Sequence, residues 1–345
     1  MIECIIKEIE TRVAYLNKKT ISSIYFGGGT PSILNKKEVQ SIINTIYANF
    51  TVAEDIEITL ECNPDDLNKS KLVGFKKAGI NRLSIGVQSF NDTDLIFMNR
   101  SHNAKEAIDC IHLAKKTGFE NITIDLIYGL PKQSVEAWED NLKKMFRLGV
   151  SHFSAYTLTV EPKTALKHLI DTKKITPAKD EVIVEHFNTL VQLATNNNFI
   201  HYEISNFGKE GFFSNHNTAY WKNQHYIGIG PSAHSFNGTS RQWNIASNKQ
   251  YIEKITTDNS YFEIEKLNNK QQYNEYIFTG LRTVWGVKLD YIETQFGKDA
   301  QQYFEQQIQN WISQEKVQQE DNHFTTTKKG KLYADAIASD LFIVD

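Results

Sequence analysis

Apolar residues at Ile2, Ile5, Ile6, Ile9, Val13 and Leu16 recur every three or four positions, which predicts an amphipathic helix at the start of the chain. After it, short β-rich runs alternate with helical patterns. The runs are 22–26 (SSIYF), 56–61 (IEITLE), 82–87 (RLSIGV), 121–128 (NITIDLIY) and 152–158 (HFSAYTL). Helical spacing fills the gaps, as in 134–149 (SVEAWEDNLKKMFRLG), which closes on a glycine suited to a helix C-terminus. Strands alternating with helices predict a parallel sheet, either open or closed as a barrel. Such a chain normally opens on a strand; this one opens on a helix.

Between 160 and 250 the alternation stops. The segment is rich in aromatics, His and Asn, with one strand-like run at 199–207 (FIHYEISNF). From about residue 270 the pattern is helical again (QQYNEYIFTGLRTVWG, LDYIETQFG, AQQYFEQQIQNWISQ), followed by a strand-like HFTTT and a closing helix. This reading gives three segments: a partial α/β barrel over 1–160, an extension over 161–260, and a winged-helix-like domain over 261–345. Winged helices often bind DNA, but no basic face clusters here, which favours a structural or docking role.

Composition narrows the partners. The 345 residues are 40% hydrophobic and 23% charged, the balance of an ordinary globular protein, and the net charge of −3 offers no field for a nucleic-acid backbone. No apolar run approaches the ~18 residues of a membrane span, which leaves only peripheral membrane contact open. The first ten residues, MIECIIKEIE, lack the basic start and cleavage site of a signal peptide. Three cysteines, Cys4, Cys62 and Cys110, lie dozens of residues apart. An odd, dispersed set argues against a disulfide framework, and a reducing cytoplasm is the expected location.

Polar residues gather where each predicted strand ends. The first run leads into Gly27-Gly28-Gly29-Thr30-Pro31, the second into Glu61-Cys62-Asn63-Pro64, the third into Gln88-Ser89-Phe90, and the fourth carries Asp125 before Gly129-Leu130-Pro131. One such residue is an ordinary cap; four successive strands ending this way predict a shared pocket at the carboxyl edge of the sheet. The glycine loop has neither the Gly-Lys-Ser/Thr of a P-loop nor the spacing of a dinucleotide fingerprint. Glu61 and Asp125 suit hydroxyls or an ammonium, and Gln88 and Arg100 suit a hydroxyl or a carboxylate. A ligand with an amino acid end and a ribose fits that inventory, and S-adenosylmethionine is such a ligand.

The ordered set YFGGGTPS, LECNP, RLSIGVQSF, NRSH and IDLIYGLP resembles the motifs of radical S-adenosylmethionine proteins related to oxygen-independent coproporphyrinogen III oxidase. The resemblance runs the length of the chain. It implies an incomplete six-stranded βα barrel, here without its first strand. It also implies that Gly28, Gly29 and Thr30 contact the methionine end of the cofactor while Glu61, Gln88, Arg100 and Asp125 complete the pocket. Residues 202–221 and 226–236 (YIGIGPSAHSF) resemble the haem-chaperone branch, HemW, rather than the oxidase. That branch's His-Asn-x-x-Tyr-Trp motif is His216, Asn217, Tyr220 and Trp221 here, and the resemblance implies haem as a ligand and haem-accepting proteins as partners. In a helix, His216 and Tyr220 share a face. The oxidase, a radical decarboxylase of haem biosynthesis, stands as the alternative, and a scaffold role for the C-terminal domain as a weaker one. His225 and His234 are expected in turn hydrogen bonds, and Cys62 and Cys110 as small buried groups.

One departure stands out. The family holds a [4Fe–4S] cluster on Cys-x3-Cys-x2-Cys, in a loop before the helix with which this chain begins, and neither the loop nor those cysteines occur here. The complete cofactor pocket favours an N-terminally truncated chain over a cluster-free relative, with the cluster present in the full-length protein only.

Overall fold

The computed structural model describes residues 1–17, 19–257 and 260–344. All five β runs of the sequence are strands: β1 (Ile21–Phe26), β2 (Val52–Cys62), β3 (Arg82–Gln88), β4 (Asn121–Tyr128) and β5 (His152–Thr157). β2 to β5 pair in parallel in chain order. Two short strands, β6 (Ile200–His201) and β7 (Asn206–Gly208), finish a seven-stranded sheet of order β1-β2-β3-β4-β5-β7-β6, with β7 antiparallel to both neighbours. β3 reads as a nearly continuous buried run, with Leu83, Ile85 and Val87 all inaccessible, as a parallel strand covered on both faces should. This is the expected α/β sheet.

The crossover helices begin and end where their capping residues dictate. Ser134 accepts from the backbone N–H of Ala137 to open Val135–Arg147, and Gly149 leaves it at φ +64°. That helix buries Trp138, Leu142 and Met145. Asn103 and Glu106 form a reciprocal capping box at the start of Ala104–Lys116. The opening helix spans Ile2–Thr11, then tightens into a 3-10 turn over Val13–Leu16.

The chain packs as two compact units, one of residues 23–39 and 57–214, the other of 1–22, 40–56 and 215–345. The first carries the carboxyl ends of β1 to β5. The second contains an antiparallel sheet of β8 (His234–Phe236), β9 (Ser240–Asn244) and β10 (Phe262–Lys266). It also contains the C-terminal module: helices Asn269–Leu281, Leu289–Phe296 and Lys298–Ser313, with β11 (Val287–Lys288), β12 (Val317–Glu320) and β13 (His323–Thr326). Tyr273, Ile277, Leu281, Phe304, Ile308 and Phe324 are its core. Helices followed by a small antiparallel wing match the expected winged-helix-like arrangement. Among the described residues no helix is long and apolar enough to cross a membrane.

Two features depart from the sequence reading. The single strand expected at 199–207 is two short strands separated by a turn, because buried Glu203 accepts from Asn206 Nδ2 and from the Ser205 backbone N–H, at 3.2 Å in the latter case, and folds the chain back. The sheet β8–β10 was not anticipated at all. The buried positions of β9 are Gln242 and Asn244, so its inward face is polar and hydropathy does not mark it. Those amides are answered by the opening helix. Gln242 Oε1 accepts from Arg12 at 2.6 Å, and Asn244 Nδ2 donates to Glu8 at 2.8 Å.

Candidate cofactor sites

At the end of β1 the chain turns through Gly28 and Gly29 at φ +73° and +71°, a left-handed conformation that costs a residue with a Cβ ~1–2 kcal/mol. A Cβ built on either would meet nothing within 4 Å, so the turn faces open space. Gly27 is different: a Cβ there would come to 2.5 Å from the Tyr25 ring and 3.0 Å from Glu61 Oε1. Glu61, one residue from the end of β2, accepts from Tyr25 Oη at 2.7 Å and from the Gly28 backbone N–H at 3.0 Å. The carboxylate therefore holds the glycine turn in place and keeps acceptor capacity to spare. Burial, then the charge of Glu61, push the Tyr25 hydroxyl far above its ordinary value, so it serves as a fixed donor. Thr30 occupies the N-cap position of the 3-10 turn Pro31–Ile33 and its side chain makes no cap bond.

The 99–102 motif ties the loop after β2 to the end of β3. Arg100 Nη2 donates to Asn63 Oδ1 at 2.8 Å and to Gly86 O at 3.4 Å; Ser101 donates to Asp65 at 2.8 Å; His102 Nε2 lies 3.0 Å from Val87 O. Arg100 Nε is buried with no protein partner. Gln88, the last residue of β3, has φ +68° at an irregularity in the β3–β4 register, a strained conformation of the kind that gathers at functional sites. Gly86 leaves room for it, since a Cβ there would stand 2.9 Å from Gln88 Nε2.

Asp125 lies opposite Ser154 in the β4–β5 register and is half-buried. Loss of water pushes its carboxyl up to about 6; Ser154 hydrogen bonding opposes this, Glu61 adds repulsion, and Arg82 and Arg100 pull it down. Glu61, Arg100 and Asp125 thus share one field at the strand ends. Sequence reading gave no role to Tyr25, Asn63 or Ser154, although Tyr25 and Asn63 lie inside the motifs YFGGGTPS and LECNP and Ser154 within the run 152–158. The arrangement fits the group the family implies. An open left-handed turn, two carboxylates with unused acceptor sites and an arginine with a buried idle N–H suit an ammonium, hydroxyls and a carboxylate.

The second group lies on the short helix Asn215–Trp221. His216 and Tyr220 share a face, with ring centroids 4.9 Å apart at 88°. Tyr220 packs edge-on against Tyr226 at 4.5 Å and is still 40% exposed. Desolvation, with Tyr226 close by, pushes its hydroxyl up to about 12, so it stays protonated. Trp221 faces the Arg282 guanidinium at 5.6 Å. A helical imidazole flanked by partly exposed aromatic rings is a donor set that fits haem. His225 packs against Phe236, and the exposed His234 lies 6.5 Å from the Trp243 ring.

Cys62 ends β2 and Cys110 lies in a helix, both buried as expected, and Cys4 is buried in the opening helix. Burial pushes the Cys62 thiol far up and that of Cys110 to about 12. Among the described residues no three His, Cys, Asp or Glu are grouped to hold a metal. These thiols do not fit the cluster that the family implies.

Residues 5–145 match the Radical SAM superfamily and 267–333 the HemN C-terminal domain. A Bacillus subtilis (strain 168) protein named heme chaperone HemW is 31% identical over 333 residues, covering 96% of this chain and 88% of that protein. A Lactococcus lactis protein of the same name is 31% identical over 329 residues, covering 95% and 86%. The chain belongs to the HemW haem-chaperone family. S-adenosylmethionine and [4Fe–4S] binding are implied by its Radical SAM membership. Beyond HemW proteins, the solved structure of Escherichia coli coproporphyrinogen III oxidase, HemN, matches with a TM-score of 0.84 at 22% identity, covering 99% of this chain and 82% of that one. At that identity the likeness shows the fold, an α/β radical-SAM fold with a C-terminal domain.

Proposed function

We propose that this chain binds haem on the helix Asn215–Trp221 and passes it to an acceptor protein in the cytoplasm, with S-adenosylmethionine held at the strand ends. The observation that carries the reading is the His216–Tyr220 pair, a ligand imidazole with a perpendicular, partly exposed phenol one turn away, in a chain of the HemW family. His216 ligates the iron, while Tyr220 and Trp221 offer ring faces to the porphyrin and Asn217 belongs to the same motif. A single protein-derived ligand on a helix with no fully buried residue would suit a carrier that must release its cargo.

At the strand ends, Gly28 and Gly29 admit the amino acid end of S-adenosylmethionine beside Thr30. Glu61 and Asp125 accept from its ammonium and ribose hydroxyls, and Gln88 and Arg100 bind what remains polar. The cofactor supplies a deoxyadenosyl group when bound; these residues hold and orient it. Three buried, unpaired cysteines suit a reducing compartment. The oxidase reading draws on likeness of fold and on the match of 267–333 to the HemN C-terminal domain, whereas the relatives at 31% identity are named haem chaperones.

The test is titration with haemin. A saturable Soret shift is expected, weakened at least about tenfold in His216→Ala, a loss of one coordinate bond's worth of affinity. Anaerobic consumption of coproporphyrinogen by the protein would favour the oxidase instead.

A further inference from the structure

We infer that Arg282 is the residue that takes a haem propionate, exchanging the Asp335 carboxylate for that of the ligand. The inference rests on the haem reading above and adds a binding residue outside the motif. Arg282 is the C-cap of the helix Asn269–Leu281. Its guanidinium lies between two rings, 4.7 Å from the centroid of Phe278 and 5.6 Å from that of Trp221. The second ring is itself part of the motif. Trp221 comes five residues after His216, about 7.5 Å along a helix axis at the usual rise, on a flank adjoining that of Tyr220. A ligand centred on His216 and spread over Tyr220 thus brings its rim toward Trp221 and the cation stacked on it.

The charge state of Arg282 completes the argument. The side chain is 18% exposed, and it is paired with Asp335, which is 74% exposed. Its Nε is buried and has no partner. A guanidinium has five donors in a planar fork suited to a carboxylate, and here that fork holds one carboxylate from a residue mostly in water. Such a pair is weak by nature. Asp335 is chemically a stand-in for a propionate, so exchange trades like for like while the stacked rings keep the guanidinium aimed. Lys222 lies 4.5 Å from the Trp285 ring, but among the described residues it has no carboxylate partner that marks the chemistry in the same way.

The experiment compares haemin with haemin dimethyl ester, whose propionates are capped, by Soret titration of the full chain. Arg282→Gln should weaken haemin binding about tenfold, the value of one charged hydrogen-bonded pair, and leave the ester's affinity unchanged. Arg282→Lys should restore part of the loss. Asp335→Asn removes the competitor and should tighten haemin alone. An equal loss for haemin and ester in Arg282→Gln would mean that Arg282 only props Trp221, and overturns the assignment; so would no loss for either, or no gain in Asp335→Asn. Melting curves of each variant separate these results from misfolding. If the wild type binds neither compound in a His216-dependent way, the haem reading itself fails and the clamp fails with it.

Discussion

Glu8 is a carboxylate withdrawn from water and Asp125 is one only half-buried, and their surroundings are opposite. Glu8, on the opening helix, is inaccessible and receives four donors, two on each oxygen: Arg12 at 3.0 Å and Asn244 at 2.8 Å on Oε1, the Gly230 N–H at 2.8 Å and Tyr251 at 2.6 Å on Oε2. Asp125 lies beside Ser154, whose hydroxyl donates to Asn206 Oδ1 at 2.8 Å, and the proximity of Glu61 works against its charge. The first is saturated and has nothing left to offer a ligand. The second is costly to ionise and keeps open acceptor sites. Buried polar groups are normally satisfied, and the saturated Glu8 marks scaffold, whereas the half-buried Asp125 keeps acceptor sites that a ligand can take from water.

The largest effect should come from breaking the saturated side. Glu8→Ala strands the donors of Tyr251, Asn244 and Gly230 and removes the counter-charge of Arg12, and loss of one partner from a buried pair costs about 3–5 kcal/mol. Denaturant unfolding should register that drop, and a change below about 1 kcal/mol would mean the network is not what holds β9 to the opening helix. On the unsaturated side, Glu61→Gln keeps the volume but removes the charge and one of two acceptors that fix Tyr25 and Gly28. S-adenosylmethionine affinity should fall roughly 10- to 100-fold, as charged hydrogen bonds are lost, with little change in melting temperature. Equal affinity by calorimetry would take Glu61 out of the pocket.

Smaller effects separate ring from hydroxyl and charge from shape. Tyr220→Ala should weaken haemin binding about five- to tenfold through lost stacking, while Tyr220→Phe stays within about twofold. A large loss in Phe would transfer the role to the hydroxyl.

Asp125→Asn addresses the cost of ionisation. Its carboxyl titrates at about 6 in the folded protein, above the ~3.9 of an unfolded chain. The folded state therefore binds the proton more tightly, and this contribution to stability is full below about pH 4 and is lost as pH rises through about 6. The Asn variant should melt higher than wild type at pH 7, with the advantage shrinking toward pH 4. An advantage that grows in acid would contradict the direction given for Asp125.

The strand ends were legible because parallel βα units place each site residue at a predictable edge. Glu61 and Gln88 lie at or next to the ends of their strands and Asp125 three residues inside β4, in strands that hydropathy located to within a few residues. What escaped was whatever depended on pairing across the fold. β9 hides its register because its inward residues, Gln242 and Asn244, are polar and make sense only beside Glu8 and Arg12. Tyr25 reads as an ordinary β-strand aromatic until Glu61 is found 2.7 Å from its hydroxyl. Arg282 lies 61 positions after Trp221 in the chain, so no local pattern could join them; only their stacking does.

Haemin titration of the wild type, His216→Ala and His234→Ala tests the central claim most directly. The account requires a saturable Soret shift in the wild type, retained in His234→Ala and weakened at least about tenfold in His216→Ala. A His216→Ala protein that binds haemin as the wild type does would contradict it.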